Sequence, residues 1–155
     1  MHLELQQSLR KFAEAKAIDV REASRFTPVD FRLGIQWLVS EEQNDMAQAL
    51  AEAGLALFPL SEDILAISGL LAITRQDWPL AIELLQDLVT LQKDNVQPTT
   101  CQMLARALAC NLDIAEAHQV LDQAMKLWPN NPELEQEKSA MTLSQDVMSA
   151  PSQFN

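Results

Sequence analysis

Tyrosine is absent from these 155 residues, and glycine, cysteine and histidine number only three, two and two. Each scarcity closes off a class of chemistry. The three glycines form no Gly-rich loop that could cradle a phosphate, and neither GxSxG nor HExxH occurs. His2 stands near the chain start, and His118 has no local constellation of the kind a general acid or base needs, so it reads as a structural histidine. Cys101 and Cys110 are nine apart on one expected helix, in neither CxxC nor zinc-ligand spacing. A disulfide between them would break that helix, so both are expected to be reduced, buried, small apolar residues. Glu41-Glu42, Glu62-Asp63 and Glu133-Glu135-Glu137 lack EF-hand spacing and read as solvated charge at helix ends or turns. No enzyme activity, metal or cofactor is expected.

Positive charge is scarce as well. The net charge is −11, unevenly spread. Residues 1–27 carry five basic and four acidic groups, and residues 28–155 carry six basic and eighteen acidic. Nucleic-acid binding relies on Lys and Arg neutralising phosphates, so this surface repels DNA and RNA, and an anionic membrane for the same reason. A basic or amphipathic protein partner is favoured by complementary charge, and acidity also serves plain solubility. Long apolar runs are missing. Ile64 to Ile73, interrupted by Ser68 and Gly69, is far short of the roughly 20 residues a membrane-spanning helix needs. Met1-His2-Leu3-Glu4-Leu5 lacks the basic start and apolar stretch of a secretory signal, so the cytoplasm is the expected location and no membrane insertion is expected.

What remains is rich in Ala, Leu, Gln and Glu, which are strong helix formers, and few stretches favour strands. Residues 3–16 read as a helix with Leu5, Leu9 and Phe12 on one stripe, continuing weakly to Phe26 before Thr27-Pro28 ends it. Three stretches then repeat one pattern: Asp45-Met46-Ala47 to Leu57-Phe58-Pro59, Asp77-Trp78-Pro79-Leu80-Ala81 to about Leu91, and Asp113-Ile114-Ala115-Glu116-Ala117 to Leu127-Trp128-Pro129. Ala47, Ala81 and Ala117 are 34 and 36 residues apart. Helices are expected near 29–41 and 45–58, 62–75 and 78–92, 98–110 and 113–128. A last helix over 132–148 carries Leu134, Met141 and Met148. Ser61 before Asp63 and Ile64 marks a helix start. Trp37, Trp78 and Trp128 are expected in the core or half-buried.

This period and the residues it aligns resemble the tetratricopeptide repeat. The third repeat matches through Cys101, Leu104, Ala105 and Leu108, then Ala117, Leu121, Ala124 and Pro129. The second gives Leu65, Ser68, Gly69 and Ala72, then Ala81, Leu85 and Leu88, with Lys93 where proline is expected. The first gives Phe31, Gly34, Ile35 and Leu38, then Ala47, Ala51, Gly54 and Pro59; a shift to Ala49, Ala53 and Ala56 fits its second helix almost as well. The resemblance implies an all-α, right-handed solenoid of three helix pairs, 28–61, 62–97 and 98–131. A helical extension at 1–27, a capping helix at 132–148 and a flexible tail at 149–155 complete the expected layout.

The resemblance also implies a site: a concave face lined by first helices. It places Arg32, Gln36 and Val39 there from the first repeat, Ala66, Leu70 and Ile73 with Asp63 from the second, and Gln102, Arg106 and Ala109 with Thr99 and Cys110 from the third. An apolar groove of this kind holds a segment of another protein through side-chain anchors; packing of Leu70 and Ile73 on a neighbouring helix is the competing reading. The family's clamp for acidic C-terminal tails is not matched, because Arg32, Gln36, Ile67, Thr99 and Met103 include only one suitable residue. The whole layout resembles the small acidic chaperones of type III secretion, with Leu104-Ala105-Arg106-Ala107-Leu108…Asp113…Ala117…Leu121 where that family has its third-repeat motif. That resemblance implies an adaptor or chaperone that often dimerises through its N-terminal helix, here Leu5, Leu9 and Phe12. Whether that helix caps the first repeat, joins a dimer, or fills the groove of another copy in a self-assembling protein stays open at this point.

Overall fold

In the computed structural model the described residues are 1–149, the last five of them by backbone alone. Every regular element among them is helical: α1 (Leu3–Ala15), α2 (Val20–Ala23), α3 (Pro28–Ser40), α4 (Asn44–Leu57), α5 (Glu62–Thr74), α6 (Trp78–Gln92), α7 (Pro98–Cys110), α8 (Ile114–Leu127) and α9 (Pro132–Ser149). A single 3-10 turn, Lys93–Asn95, stands where the repeat pattern expects proline. Ser149, expected to open the tail, is the last residue of α9; the rest of the expected tail, 150–155, and the Met148 side chain lie outside the described residues.

The chain divides into two compact units, one from Met1 to Asp77 and one from Trp78 onward. The division falls between α5 and α6, inside the expected second repeat. In the first unit α3 packs on α1, α4 and α5, and α4 packs on α5. In the second, α7 packs on α6, α8 and α9, and α8 packs on α9. The triads α3–α4–α5 and α7–α8–α9 are thus wired alike.

Local chemistry accounts for the helix ends. Thr27 accepts from the Asp30 N–H while Asp30 accepts from the Thr27 N–H, a reciprocal capping box with Pro28 at the first helical position. Ser61 Oγ accepts from the Ile64 N–H at 3.4 Å. The first helix does not continue to Phe26. Lys16 turns left-handed at φ 52°, and Asp19 then accepts from the Arg21 and Glu22 N–H groups to start the short α2. Glu22 ties α2 back to α1, accepting from Ser8 Oγ and from Lys11 Nζ. The Ser8 hydrogen bond first, and Lys11 second, hold the Glu22 carboxyl below its ordinary range.

Three helix ends share a backbone signature that side-chain matching does not reveal. Glu42, Gln76 and Leu112 all adopt positive φ, at 59°, 60° and 67°. Each closes a six-residue hydrogen-bonded turn: Gln43 N–H to Leu38 C=O, Asp77 N–H to Ala72 C=O, and Asp113 N–H to Leu108 C=O, at 2.8, 2.9 and 2.8 Å. These residues each precede Ala47, Ala81 and Ala117 by five positions, so the turn recurs with the period of the sequence pattern.

The core follows that pattern position by position. Phe31, Gly34, Ile35, Leu38, Ala47, Ala51 and Gly54 are buried, which fixes the register of α4 and leaves Ala56 exposed. Leu65, Ser68, Gly69 and Ala72 are buried on α5, and Ala81, Leu85 and Leu88 on α6. Cys101, Leu104, Ala105, Leu108, Ala117, Leu121 and Ala124 are buried on α7 and α8. Cys110, expected to be buried, is exposed at the α7 C-terminus; nine residues on from Cys101 it points about 180° away around the helix. In the first unit four phenylalanines form a ladder, with ring centroids 6.1 Å apart for Phe12–Phe26, 5.6 Å for Phe26–Phe31 and 6.1 Å for Phe31–Phe58. Aromatic contacts of this kind add about 0.5–1.5 kcal/mol each beyond their buried area.

Candidate functional site

The side chains expected on the first helices separate into those that remain open and those that already have a partner. On α3, Arg32, Gln36 and Val39 sit at i, i+4 and i+7, a single stripe. On α5, Asp63, Ala66, Leu70 and Ile73 form the matching stripe. One polar contact joins α3 to α5 directly, and a second joins the end of α5 to the start of α4. Arg32 Nε lies 3.4 Å from Asp63 Oδ1 near the helix starts. Past the helix ends, Arg75 Nη1 donates to the Asn44 carbonyl at 3.0 Å and Nη2 to Asp45 at 3.4 Å. The Arg32–Asp63 contact is an ion pair without hydrogen-bond geometry, since Nε is buried and makes no hydrogen bond; its contribution is the small one of a half-exposed pair.

Val39 is 37% and Leu70 46% exposed. Gln36 is exposed, while Ala66 and Ile73 are half-buried. Leu70 is therefore not taken up by a neighbouring helix. Val39 and Leu70 thus present aliphatic surface to water on two helices that pack together.

The α7 residues have a different setting. Gln102 and Ala109 are half-buried. Arg106 is engaged by α9: its Nε and Nη2 donate to Glu137 Oε1 and Oε2 at 3.3 and 2.9 Å. This bidentate pair neutralises a carboxylate whose side chain is only 9% exposed. The Glu137 hydrogen bonds, ahead of its charge, raise the Arg106 guanidinium pKa above its ordinary value. Sequence reading had Glu137 as solvated charge. Its position three residues after the buried Leu134, on the same helix face, is the signal that could have placed it inward. Lys138 adds a second tie, 2.8 Å from Asp122 on α8.

Leu5, Leu9 and Phe12 are 5%, 0% and 2% exposed, all within the first unit's own core. The stripe proposed for dimerisation is thus buried against α3 and its neighbours within a single chain, as a cap would be. Trp37 and Trp78 are half-buried, and Trp128 is 40% exposed with its indole N–H donating to the Val96 carbonyl at 3.3 Å. Among the described residues there is no cluster of three or more His, Cys, Asp or Glu placed to hold a metal ion, and no helix long and apolar enough to cross a membrane. No protein-family model matches the chain, and no curated protein is similar to it.

Proposed function

We propose that this protein is a non-enzymatic adaptor or chaperone of the tetratricopeptide type, which holds a segment of another protein against the face of α3 and α5. The observation that carries this reading is the pair Val39 and Leu70, exposed on the packed helices α3 and α5. The recurring left-handed turn at Glu42, Gln76 and Leu112 and the like wiring of the two helix triads support a helical solenoid. Within that class, the acidity and the layout of an N-terminal helix, three repeats and a terminal helix favour a type III secretion chaperone acting in the cytoplasm.

The test compares native and Leu70→Asp protein as bait in a lysate of the native host, with mass spectrometry of co-eluting chains. Because Leu70 is exposed, the substitution should leave the far-ultraviolet helical signal intact while a stoichiometric partner is lost. Retention of the same partner by the variant removes this face as the site. Recovery of bait alone, at a defined oligomer mass, favours instead a structural protein whose purpose is self-association.

A further inference from the structure

The seats of α5 on α3 and of α9 on α7 are close copies, and nearly every contact that holds α9 has a counterpart in the other seat. A shift of 70 residues carries Phe31, Ile35 and Leu38 of α3 onto Cys101, Ala105 and Leu108 of α7, all buried. The same shift carries Ile64 and Leu71 of α5 onto Leu134 and Met141 of α9, again buried in both units. Polar contacts repeat too. Lys138 meets Asp122 of α8, and the residue equivalent to Asp122 on α4 is Glu52. Glu133 stands where Asp63 pairs with Arg32. One contact does not repeat. Glu137, which accepts both hydrogen bonds from Arg106, corresponds to Ile67, and Arg106 corresponds to Gln36.

That difference falls on the side chain least able to bear it. The Arg106 side chain is 52% exposed and can turn to water, whereas that of Glu137 is 9% exposed. Set against α3, the Glu137 carboxylate would be buried beside the Gln36 amide with no cation, because Arg32, one turn away, is matched by Glu133. We propose that the Arg106–Glu137 pair is an address, which holds α9 to α7 and keeps it off the α3 of a second copy. Without that address, α9 of one chain would displace α5 of another, leaving a vacant α7 and a free α5. Exchange of like elements between copies is a low-cost route to association. Apolar matching supplies affinity for either seat, and the misplaced carboxylate supplies the choice between them.

The experiment makes the two seats alike in two opposite ways, on the full chain. Arg106→Gln with Glu137→Ile gives both seats the neutral pair of α3 and α5. Gln36→Arg with Ile67→Glu gives both seats the charged pair. Arg106→Glu with Glu137→Arg reverses the pair and keeps the seats different. Each protein is refolded from urea over a range of concentrations, its mass is read by light scattering, and circular dichroism checks its helix content. Both look-alike variants should form at least tenfold more soluble oligomer than the native chain at equal concentration, while the reversal should match the native chain. A neutral variant that refolds with the native mass overturns the proposal. Equal association by the reversal overturns it too, because the response is then to any change at this contact. Association by the neutral variant alone, with the charged one folded, assigns the effect to added apolar surface and also overturns the address. If the charged variant loses its helical signal, the neutral variant and the reversal decide between them.

Discussion

Gly54 faces the Phe31 ring so closely that a Cβ there would stand 3.0 Å from Cδ1 and 3.2 Å from Cγ. Phe31 is fully buried and stacked edgewise on Phe26 and Phe58, so its ring has little room to yield. Gly54→Ala should therefore lose about 1–2 kcal/mol in urea unfolding, even though alanine is the better helix former by about 1 kcal/mol. In a Phe31→Leu background the same change should become neutral or favourable. Additive effects would show that the two residues are not coupled. Seventy residues on, the corresponding positions hold Cys101 and Ala124, a smaller residue opposite a larger one. The sequence pattern marked both positions as buried, but the exchange of volume between them is a property of packing that periodicity does not carry. The same holds for Arg106 and Glu137. Their separation of 31 equals that of Arg32 and Asp63, yet only contact between helices shows that one carboxylate is buried. Arg106→Leu should cost about 2 kcal/mol by stranding Glu137, and adding Glu137→Leu should recover much of it. No recovery in the double variant would mean the arginine acts mainly through its stem.

Helix positions were legible almost to the residue, because Pro28, Ser61, Pro98 and the Asp-x-Ala starts are local signals. The segment between α1 and α3 was not. The left-handed Lys16 is an ordinary residue in an uncommon role, and α2, though capped by Asp19, is too short to show periodicity. The Ser8–Glu22–Lys11 contact gives that segment a testable pH response. The Glu22 carboxyl pKa is lowered in the folded chain from its ordinary 4.5. Its stabilisation is therefore complete above that value and is lost as pH falls through the lowered one. The melting-temperature gap between native protein and Glu22→Gln should be present at pH 6 and should close below pH 4.5; a gap constant with pH would sink this account. At the ends of α3, α5 and α7, non-glycine residues adopt the left-handed conformation. Leu112 is the most costly, being 75% exposed as well. Leu112→Gly should raise stability by about 0.5–1 kcal/mol, the relief of a left-handed leucine exceeding the added freedom of the unfolded chain. A loss on that substitution would mean the leucine makes a contact worth more than its strain.

At the scale of the whole molecule, composition foretold an all-helical chain without strands, and the described residues bear that out. The candidate site was legible only in part. Spacing brought Arg32, Gln36, Val39, Ala66, Leu70 and Ile73 onto stripes that the helices do align. It could not tell that Arg106 is engaged by α9, nor that Leu5, Leu9 and Phe12 are enclosed in their own unit. Charge acts on the molecule as a whole. With a sequence pI near 4.4 and a net charge of −11, self-repulsion opposes the compact state at neutral pH. Raising salt from low ionic strength to about 0.5 M shortens the screening length well below 10 Å, so the melting temperature should rise by a few degrees. A fall would point to ion pairs such as Arg106–Glu137 outweighing the repulsion. The left-handed turns at Glu42, Gln76 and Leu112 carry one more consequence, for how such chains are compared. An acid, an amide and an aliphatic residue hold the same backbone angle, so an alignment scored by residue type counts mismatches there. If the helix pairs arose by duplication of one ancestral pair, the inherited trait at this position is a dihedral angle, and kinship is better sought in conformation than in the alphabet.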